Sequence, residues 1–549
     1  MPFMLGYRLL AYGFFNFHNH SPVYPAQGEK TMSSLMRAIL CAAVAGFCVS
    51  AVPLARAEGD LTNVNHIIVI VQENHSYDNY FGALAYAPGS PYHNGNGACS
   101  GRDNACVDGL TCTSNGGNLT CSNSNIDNEG QTIYATHSTT RCITDPDHSW
   151  FGEHLDLNWD DPNDSLTDPL NNGFERDDEP LNGDEVMTFY TQADLPFYYN
   201  LAQNFAISDR HFAGTVGPTF PNRSYLEAAT SFGHLTTSDA VPPPGGYKPI
   251  TGTIYDLLNN ANVSWADYFQ DVPADIFFDE VDPVHNLPLA TLYLEAAGIG
   301  TLPSVVFVDP DLGVEGDTLE NDEHPPTDIQ RGQYFVSQVV NAIRNGPYWN
   351  DSIIFITWDE SGGFYDHAAP PRAIQAGKRN PDGIYPGQCA DLSNPPASEQ
   401  PGGGAECSSN FTSTSDTSVA DAEELCPALA KDPTGSYPAS CRSFDQLGIR
   451  VPFIAVSPFA KPHYVSHTVT DHTSILALIE KRFLASSGTP ASLTDRDKYA
   501  DPAEDMFHFN NSPSLNTTVT QAQPPVTDCT PAGGTGAFGL SLRNMLSSR

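Results

Sequence analysis

Four side chains suited to a hard metal ion stand at the ends of two apolar runs. In "NHIIVIVQENHSYDNYFG", residues 65–82, the run from Ile67 to Val71 passes into Gln72, Glu73 and Asn74. In "DSIIFITWDESGGFYDH", residues 351–367, the run from Ile353 to Trp358, apolar except for Thr357, passes into Asp359 and Glu360. Each run reads as a strand buried on both faces, the kind found inside parallel sheets. A carboxylate at such a strand end is costly to bury unless a cation or hydrogen-bond donors meet it. One strand of this kind can simply have reached solvent; two point to a shared site, because ligands of open α/β sheets gather beyond the carboxyl ends of the strands. Glu73, Asn74, Asp359 and Glu360 offer hard oxygen ligands, which suit a divalent Mg²⁺, Mn²⁺ or Ca²⁺ better than a thiolate-type zinc site does. Gly362 and Gly363 allow a tight turn and a close approach of backbone to a ligand.

A nucleophile candidate lies in "DRHFAGTVGPTFPNRSYLEAA", residues 209–229. Pro221 is expected to open a helix that continues from Asn222 to Ala229. Thr219 is then expected just before the helix N-terminus, where unpaired N–H groups favour a bound phosphate. A threonine hydroxyl there is a nucleophile if a metal lowers its pKa; the ordinary alternative is an N-cap.

These residues need a frame. Further buried strands are expected in "PSVVFVDP" (303–310) and "RVPFIAVSP" (450–458). Thr327 is expected to cap a helix that places Val336, Val339, Val340 and Ile343 on one face and stops at Asn345-Gly346-Pro347. Asp471 or His472 opens another, with Ile475, Leu476, Leu478, Ile479 and Phe483 at helical spacing. Strands alternating with helices predict an α/β fold with a mostly parallel central sheet flanked by helices. No internal repeat is visible. Gly-, Asn- and Ser-rich segments with cysteines, at about 85–145 and 373–443, read as surface insertions around the strand ends, and the tail 512–549 lacks periodicity.

The whole chain sets outer bounds. Its 549 residues can bury a large core, and 25 basic against 65 acidic side chains give a formal net charge of −40. That excludes the basic footprint of a nucleic-acid binder. A site for phosphate esters in such a field needs local positive charge, and a metal is its natural source. "MRAILCAAVAGFCVSAVPLARAEGD" has a basic start, an apolar stretch too short to be a convincing membrane span, and Ala55-Arg56-Ala57 before Glu58, a secretory signal pattern cut after Ala57. Residues 1–57 are therefore expected to be leader and signal, with the start at Met1, Met32 or Met36; no transmembrane segment is expected after their removal, and the protein is expected to be secreted or periplasmic. Ten of the twelve cysteines remain (Cys99, Cys106, Cys112, Cys121, Cys142, Cys389, Cys407, Cys426, Cys441 and Cys529). An even number in an exported protein predicts disulfides, with connectivity left open.

Taken together and in order, these stretches resemble the bacterial phosphoesterase family that contains non-specific phospholipases C and a respiratory-burst-inhibiting acid phosphatase. The residues that carry the resemblance are Glu73 to Asp78 with Tyr80-Phe81-Gly82; Asp145-Pro146 with His148-Ser149-Trp150; Gly217-Pro218-Thr219 with Pro221-Asn222-Arg223; Glu323-His324-Pro325; and Trp358 to Gly363 with Asp366-His367. The segments "DLPFYYNLAQNFAISD", "ANVSWADYF", "FDQLGIRVPFIAVSPFA" and "DHTSILALIEKRF" match as well, so the likeness spans about residues 63–510. It implies an alkaline-phosphatase-like α/β fold for a catalytic domain at 58–511. It implies a divalent metal on Glu73, Asn74, Asp359 and Glu360, Thr219 as the nucleophile that becomes phosphothreonine, His148 and His324 as phosphate contacts or proton shuttles, and Asn222 and Arg223 as phosphate donors, with Arg223 alternatively bracing the loop. His367 and His472, also in matching motifs, are taken as structural or as supports behind the residues that meet the ligand. Sulfatases of the same superfamily use Cys/Ser-x-Pro-x-Arg, whose first residue becomes formylglycine; Thr219-Phe220-Pro221-Asn222-Arg223 cannot yield that aldehyde, so phosphoryl transfer remains. The longer phospholipases C carry extra β-type domains, whereas about forty residues follow Asn510 here. The implied function is a phospholipase C-type phosphodiesterase acting on phosphate esters or phospholipids, with an acid phosphatase as the alternative and a non-catalytic secreted binding protein as the second.

Overall fold

The computed structural model describes residues 60–525 and Cys529, apart from 96–98, 158–170, 179–182, 235–236, 238–245, 279–282, 314–319, 374–381, 383–443, 445 and 486–490. The leader and most of the 373–443 insertion, including its four cysteines, lie outside the described residues.

The apolar runs form the centre of an eight-stranded sheet. Its strands in chain order are β1 (His66–Gln72), β2 (Ala206–Ser208), β3 (Trp265–Phe269), β4 (Asn286–Pro288), β5 (Val305–Asp309), β6 (Ser352–Trp358), β7 (Phe453–Val456) and β8 (Tyr464–Ser466). They lie in the order β4-β3-β5-β1-β6-β7-β2-β8. All neighbours are parallel except at β7, which runs antiparallel to both β6 and β2. An apolar run encodes burial but not direction, so this reversal was invisible in "VPFIAV".

Alternate side chains of the central strands enter two separate cores. Ile68, Ile70, Ile354 and Ile356 pack with α2 (Pro196–Asn204), α5 (Leu289–Ala296) and α6 (Ile329–Arg344) on one face. Ile67, Val69, Ile353 and Phe355 pack with α3 (Thr219–Ala228), α4 (Ile254–Ala261) and α7 (His472–Ile479) on the other. Burying each such aliphatic side chain contributes roughly 1.5–3 kcal/mol, which is why these runs, and not the polar loops, fix the sheet.

Helix ends differ from expectation by a residue or two. The cap of α6 is Asp328, whose carboxylate accepts the Gln330 N–H, while the Thr327 hydroxyl donates to Glu320. The expected face of Val336, Val339, Val340 and Ile343 is buried. Asp471 caps α7 through a capping box with Ser474. Helix α3 begins at Thr219 itself, after Pro218, so Pro221 sits in its first turn, where its missing N–H costs no intrahelical bond.

The first cysteine-rich insertion is cross-linked by Cys99–Cys106 and Cys112–Cys121. Its Leu110 and Ala135 dock on Phe174, Phe189, Tyr365 and Ile449. Residues 512–525 form neither helix nor strand. They are nonetheless tied down: Ser514 N–H donates to the Pro458 carbonyl, Ala522 is buried, and Cys529 is bonded to Cys142.

Candidate active site

The register of β1 and β6 builds the site. Gln72 pairs with Trp358, so the next residues, Glu73 and Asp359, leave the sheet side by side, followed by Asn74 and Glu360. Backbone bonds continue past the strands: Asp359 N–H donates to the Gln72 carbonyl at 3.0 Å and His75 N–H to the Glu360 carbonyl at 3.2 Å. Asn74 takes a left-handed conformation (φ 63°), and Gly362 (φ 67°) lies so close beneath it that a Cβ would stand 2.4 Å from the Asn74 carbonyl oxygen. This is the close backbone approach that the glycine pair foreshadowed.

Arg223 joins the carboxylates to helix α3. Its Nη2 reaches Glu73 at 3.1 Å, its Nε reaches Asp359 at 3.1 Å, and its Nη1 reaches Asp309, the last residue of β5, at 3.4 Å. All four side chains are buried. Burial disfavours the guanidinium charge, but Asp359, Glu73 and Asp309 outweigh it and hold Arg223 charged. One cation does not balance the acids around it. Burial pushes Glu73 up against the pull of Arg223, burial with the Glu73 charge lifts Asp359 to about 7, and burial carries Glu360 far up despite His148. Asn74 Oδ1 and Glu360 Oε1 are buried without a hydrogen-bond partner. Surplus buried carboxylate and orphaned oxygens are what a hard divalent cation would satisfy, so the donor set fits the expected ion.

Thr219 and Arg223 are four residues apart and so share one face of α3, the face that Arg223 docks on the carboxylates. Asn222 is committed to the loop below: its amide donates to the Gly217 and Pro218 carbonyls at 2.7 and 3.2 Å and accepts the Thr215 N–H at 2.9 Å. Arg223 meets carboxylates and Asn222 meets backbone, an arrangement that corresponds to bracing the loop.

His148 and His324 come together from distant loops, with ring centroids 5.5 Å apart. Each Nδ1 lies against a backbone carbonyl, Pro146 at 2.9 Å and Pro325 at 2.7 Å, so Nε2 is the nitrogen not held by these carbonyls. Asp145, His148 and His324 each offer a ligating atom within 4.8 Å of the others. His148 Nε2 lies 3.2 Å from the Asn74 amide nitrogen. Burial alone would keep this ring neutral, but Glu360, Asp145, Asp147 and the Pro146 carbonyl lift it to about 10. His324 is set by Glu323 (φ 76°), whose buried carboxylate accepts from Tyr80, Tyr198 and Trp358 at 2.6, 2.6 and 2.9 Å. His472 meets the Asp359 carbonyl at 2.6 Å. His367 lies instead between Asp78 and Asp108.

Two residues of the site escaped the sequence reading. Asp309 ends an apolar run just as Glu73 and Asp359 follow theirs, so the signal was present in "SVVFVDP". Glu153 carried no signal, because its partners are 64 and 208 residues away.

A family model described as Phosphoesterase family matches residues 64–485. Non-specific phospholipase C6 of Arabidopsis thaliana is 28% identical over 472 residues, 83% of this chain and 74% of that protein. Phospholipase C B of Mycobacterium tuberculosis is 28% identical over 516 residues, 86% of this chain and 84% of its own length. Among solved structures, the murine ectonucleotide pyrophosphatase/phosphodiesterase 5 covers 57% of this chain and 95% of its own, at 12% identity and a TM-score of 0.32. The chain belongs to the phosphoesterase family and is a hydrolase of phosphoric esters.

Proposed function

We propose that this protein is a secreted, metal-dependent phosphodiesterase of the phospholipase C type that works through a phosphothreonine at Thr219. One observation carries the reading: parallel strands in register deliver Glu73 and Asn74 beside Asp359 and Glu360, with orphaned oxygens, and Arg223 docks the Thr219 face of α3 on them. Glu73, Asn74, Asp359 and Glu360 would hold the divalent ion, which supplies positive charge for the substrate's anionic oxygens and lowers the pKa of a nearby hydroxyl.

The chain's own groups do the rest. Thr219 loses its hydroxyl proton to solvent and attacks phosphorus through Oγ1 as the alkoxide; the new O–P bond forms as the bond to the leaving alcohol breaks. An imidazole Nε2, of His324 or His148, gives its proton to the leaving oxygen and recovers one from the water that later cleaves the phosphothreonine. Arg223 offsets the ligand carboxylates, and Asn222 keeps the 215–219 loop closed behind the nucleophile. The Thr219 backbone N–H, at the first position of α3, favours phosphate there. The names of the relatives favour a phospholipid diester; an acid phosphatase would use the same residues with a different leaving group. The signal pattern and the three disulfides among the described residues support export.

The test removes metal exhaustively, restores Mg²⁺, Mn²⁺ or Ca²⁺, and follows a chromogenic phosphodiester with acid quench. Activity should vanish and return with the ion, label should be trapped on Thr219, and Thr219→Ala should lose at least about a thousandfold in kcat. Full activity without metal, or in the Thr219→Ala protein, refutes the reading.

A further inference from the structure

Glu153 sits on α1 (Trp150–Asp156), the short helix that follows His148, and is fully buried. Its Oε2 accepts the Gly217 N–H at 2.6 Å and its Oε1 accepts the Ser361 hydroxyl at 2.6 Å. Gly217 lies two residues before Thr219; Ser361 follows Glu360. One carboxyl group thus spans the loop that presents the hydroxyl and the loop that presents the metal ligands. Gly217 has φ 135° and stands against Trp150 of the same helix, which a Cβ would approach to 3.3 Å, so the loop is seated on α1 by shape as well.

We infer that Glu153 is a positioning residue that latches the Thr219 loop to the Asp359–Glu360 loop and so fixes the distance between nucleophile and ligand carboxylates. The inference rests on the function proposed above. A buried acid with only two short bonds is an expensive way to fill space. Two parallel strands already fix Glu73 against Asp359, but nothing in the sheet fixes Gly217; Arg223 holds the helix and Glu153 holds the loop before it. Burial raises this carboxyl to about 8 against the Ser361 and Gly217 bonds and the His148 charge. Glutamine is a close stand-in for such a group: its oxygen accepts from Gly217 and its amide donates to the Ser361 oxygen.

The variants Glu153→Ala, Glu153→Gln, Ser361→Ala and the Glu153→Ala/Ser361→Ala pair separate latch from general scaffold. Each is assayed for kcat and KM with a soluble chromogenic phosphoester and for Mn²⁺ affinity by electron paramagnetic resonance. Glu153→Ala should lower kcat by about ten- to a hundredfold while KM and the Mn²⁺ Kd stay within about threefold. Glu153→Gln should recover to within about threefold of the parent, and the pair should be no slower than Glu153→Ala alone, since both remove one link. An unchanged kcat in Ser361→Ala, multiplicative losses in the pair, a glutamine variant as slow as the alanine one, or loss of Mn²⁺ binding overturns the inference. Failure of the wider reading shows separately, as a fully active Thr219→Ala protein.

Discussion

His367 lies between two carboxylates: Nδ1 is 2.5 Å from Asp78 and Nε2 is 3.1 Å from Asp108. Arg450 packs beside them, pairing with Asp366 at 2.9 Å and Asp78 at 3.3 Å, and Arg210 pairs with Asp108 at 2.9 Å. Burial works against the imidazolium, yet Asp78 and Asp108 lift its pKa from 6.5 to about 10, while Arg450 opposes them. Because the folded pKa is the higher one, the stabilisation is complete below about 6.5 and fades as pH climbs towards 10. Asp108 has the opposite sign: burial raises it, but His367 and the two arginines win and hold it below the carboxylate range, so its share is lost on acidification. The unfolding free energy of the parent should therefore fall between pH 7 and pH 10 by on the order of 2–4 kcal/mol more than that of His367→Gln. Urea titrations at several pH values read this directly, and parallel profiles for the two proteins would refute it. The histidine's motif position marked it in the sequence, but its partner Asp108 comes from the cysteine-rich insertion, a pairing that no local pattern encodes.

At the scale of elements, the site depends on two strand ends being pressed together. Gly362 makes that contact possible, with its positive φ and the Asn74 backbone where a side chain would go. Gly362→Ala should lower stability by about 1–3 kcal/mol and, by pushing Asn74 away, weaken divalent-ion binding at least about tenfold. Thermal unfolding and Mn²⁺ titration test the two effects; unchanged ion affinity would mean that Asn74 does not depend on this contact. The sequence made β1, β5 and β6 legible because runs of four or five apolar, mostly β-branched residues that pass straight into polar ones suit a doubly buried strand better than a helix, which needs a longer run. It also made the α6 and α7 faces legible through helical spacing. It did not reveal the antiparallel β7, whose direction depends on a long connection, nor Pro218 as the residue before α3, since a proline there offers no side-chain cap. Asp309 differs again: it ends the apolar run of "SVVFVDP", a pattern that marks a strand end as readily as a site residue.

The whole molecule bears on which ester is cleaved. The proposed chemistry acts on phosphorus and is indifferent to the leaving group, so selectivity lies in the surfaces around the strand ends. A net charge of −40 disfavours approach to an anionic bilayer, while a zwitterionic phosphatidylcholine surface pays much less of that repulsion. Among the described residues no helix is long and apolar enough to cross a membrane. At the first insertion, Ala83, Tyr86, Ala87, Pro88 and Leu119 line a cavity of about 590 Å³ together with His137 and Thr191. Leu84 and Tyr80, from the same "YDNYFGALAYAP" segment, are buried in the core beneath it. The aromatic segment thus divides between residues packed in the core and residues that line this cavity. If the protein is a phospholipase C, kcat/KM for phosphatidylcholine in mixed micelles should equal or exceed that for a soluble phosphomonoester, and the preference should shrink when anionic lipid is added at low salt and recover at high salt. A preference of more than about a hundredfold for the monoester, roughly 2.7 kcal/mol in transition-state stabilisation, would make the enzyme a phosphatase that shares its relatives' machinery without their substrate.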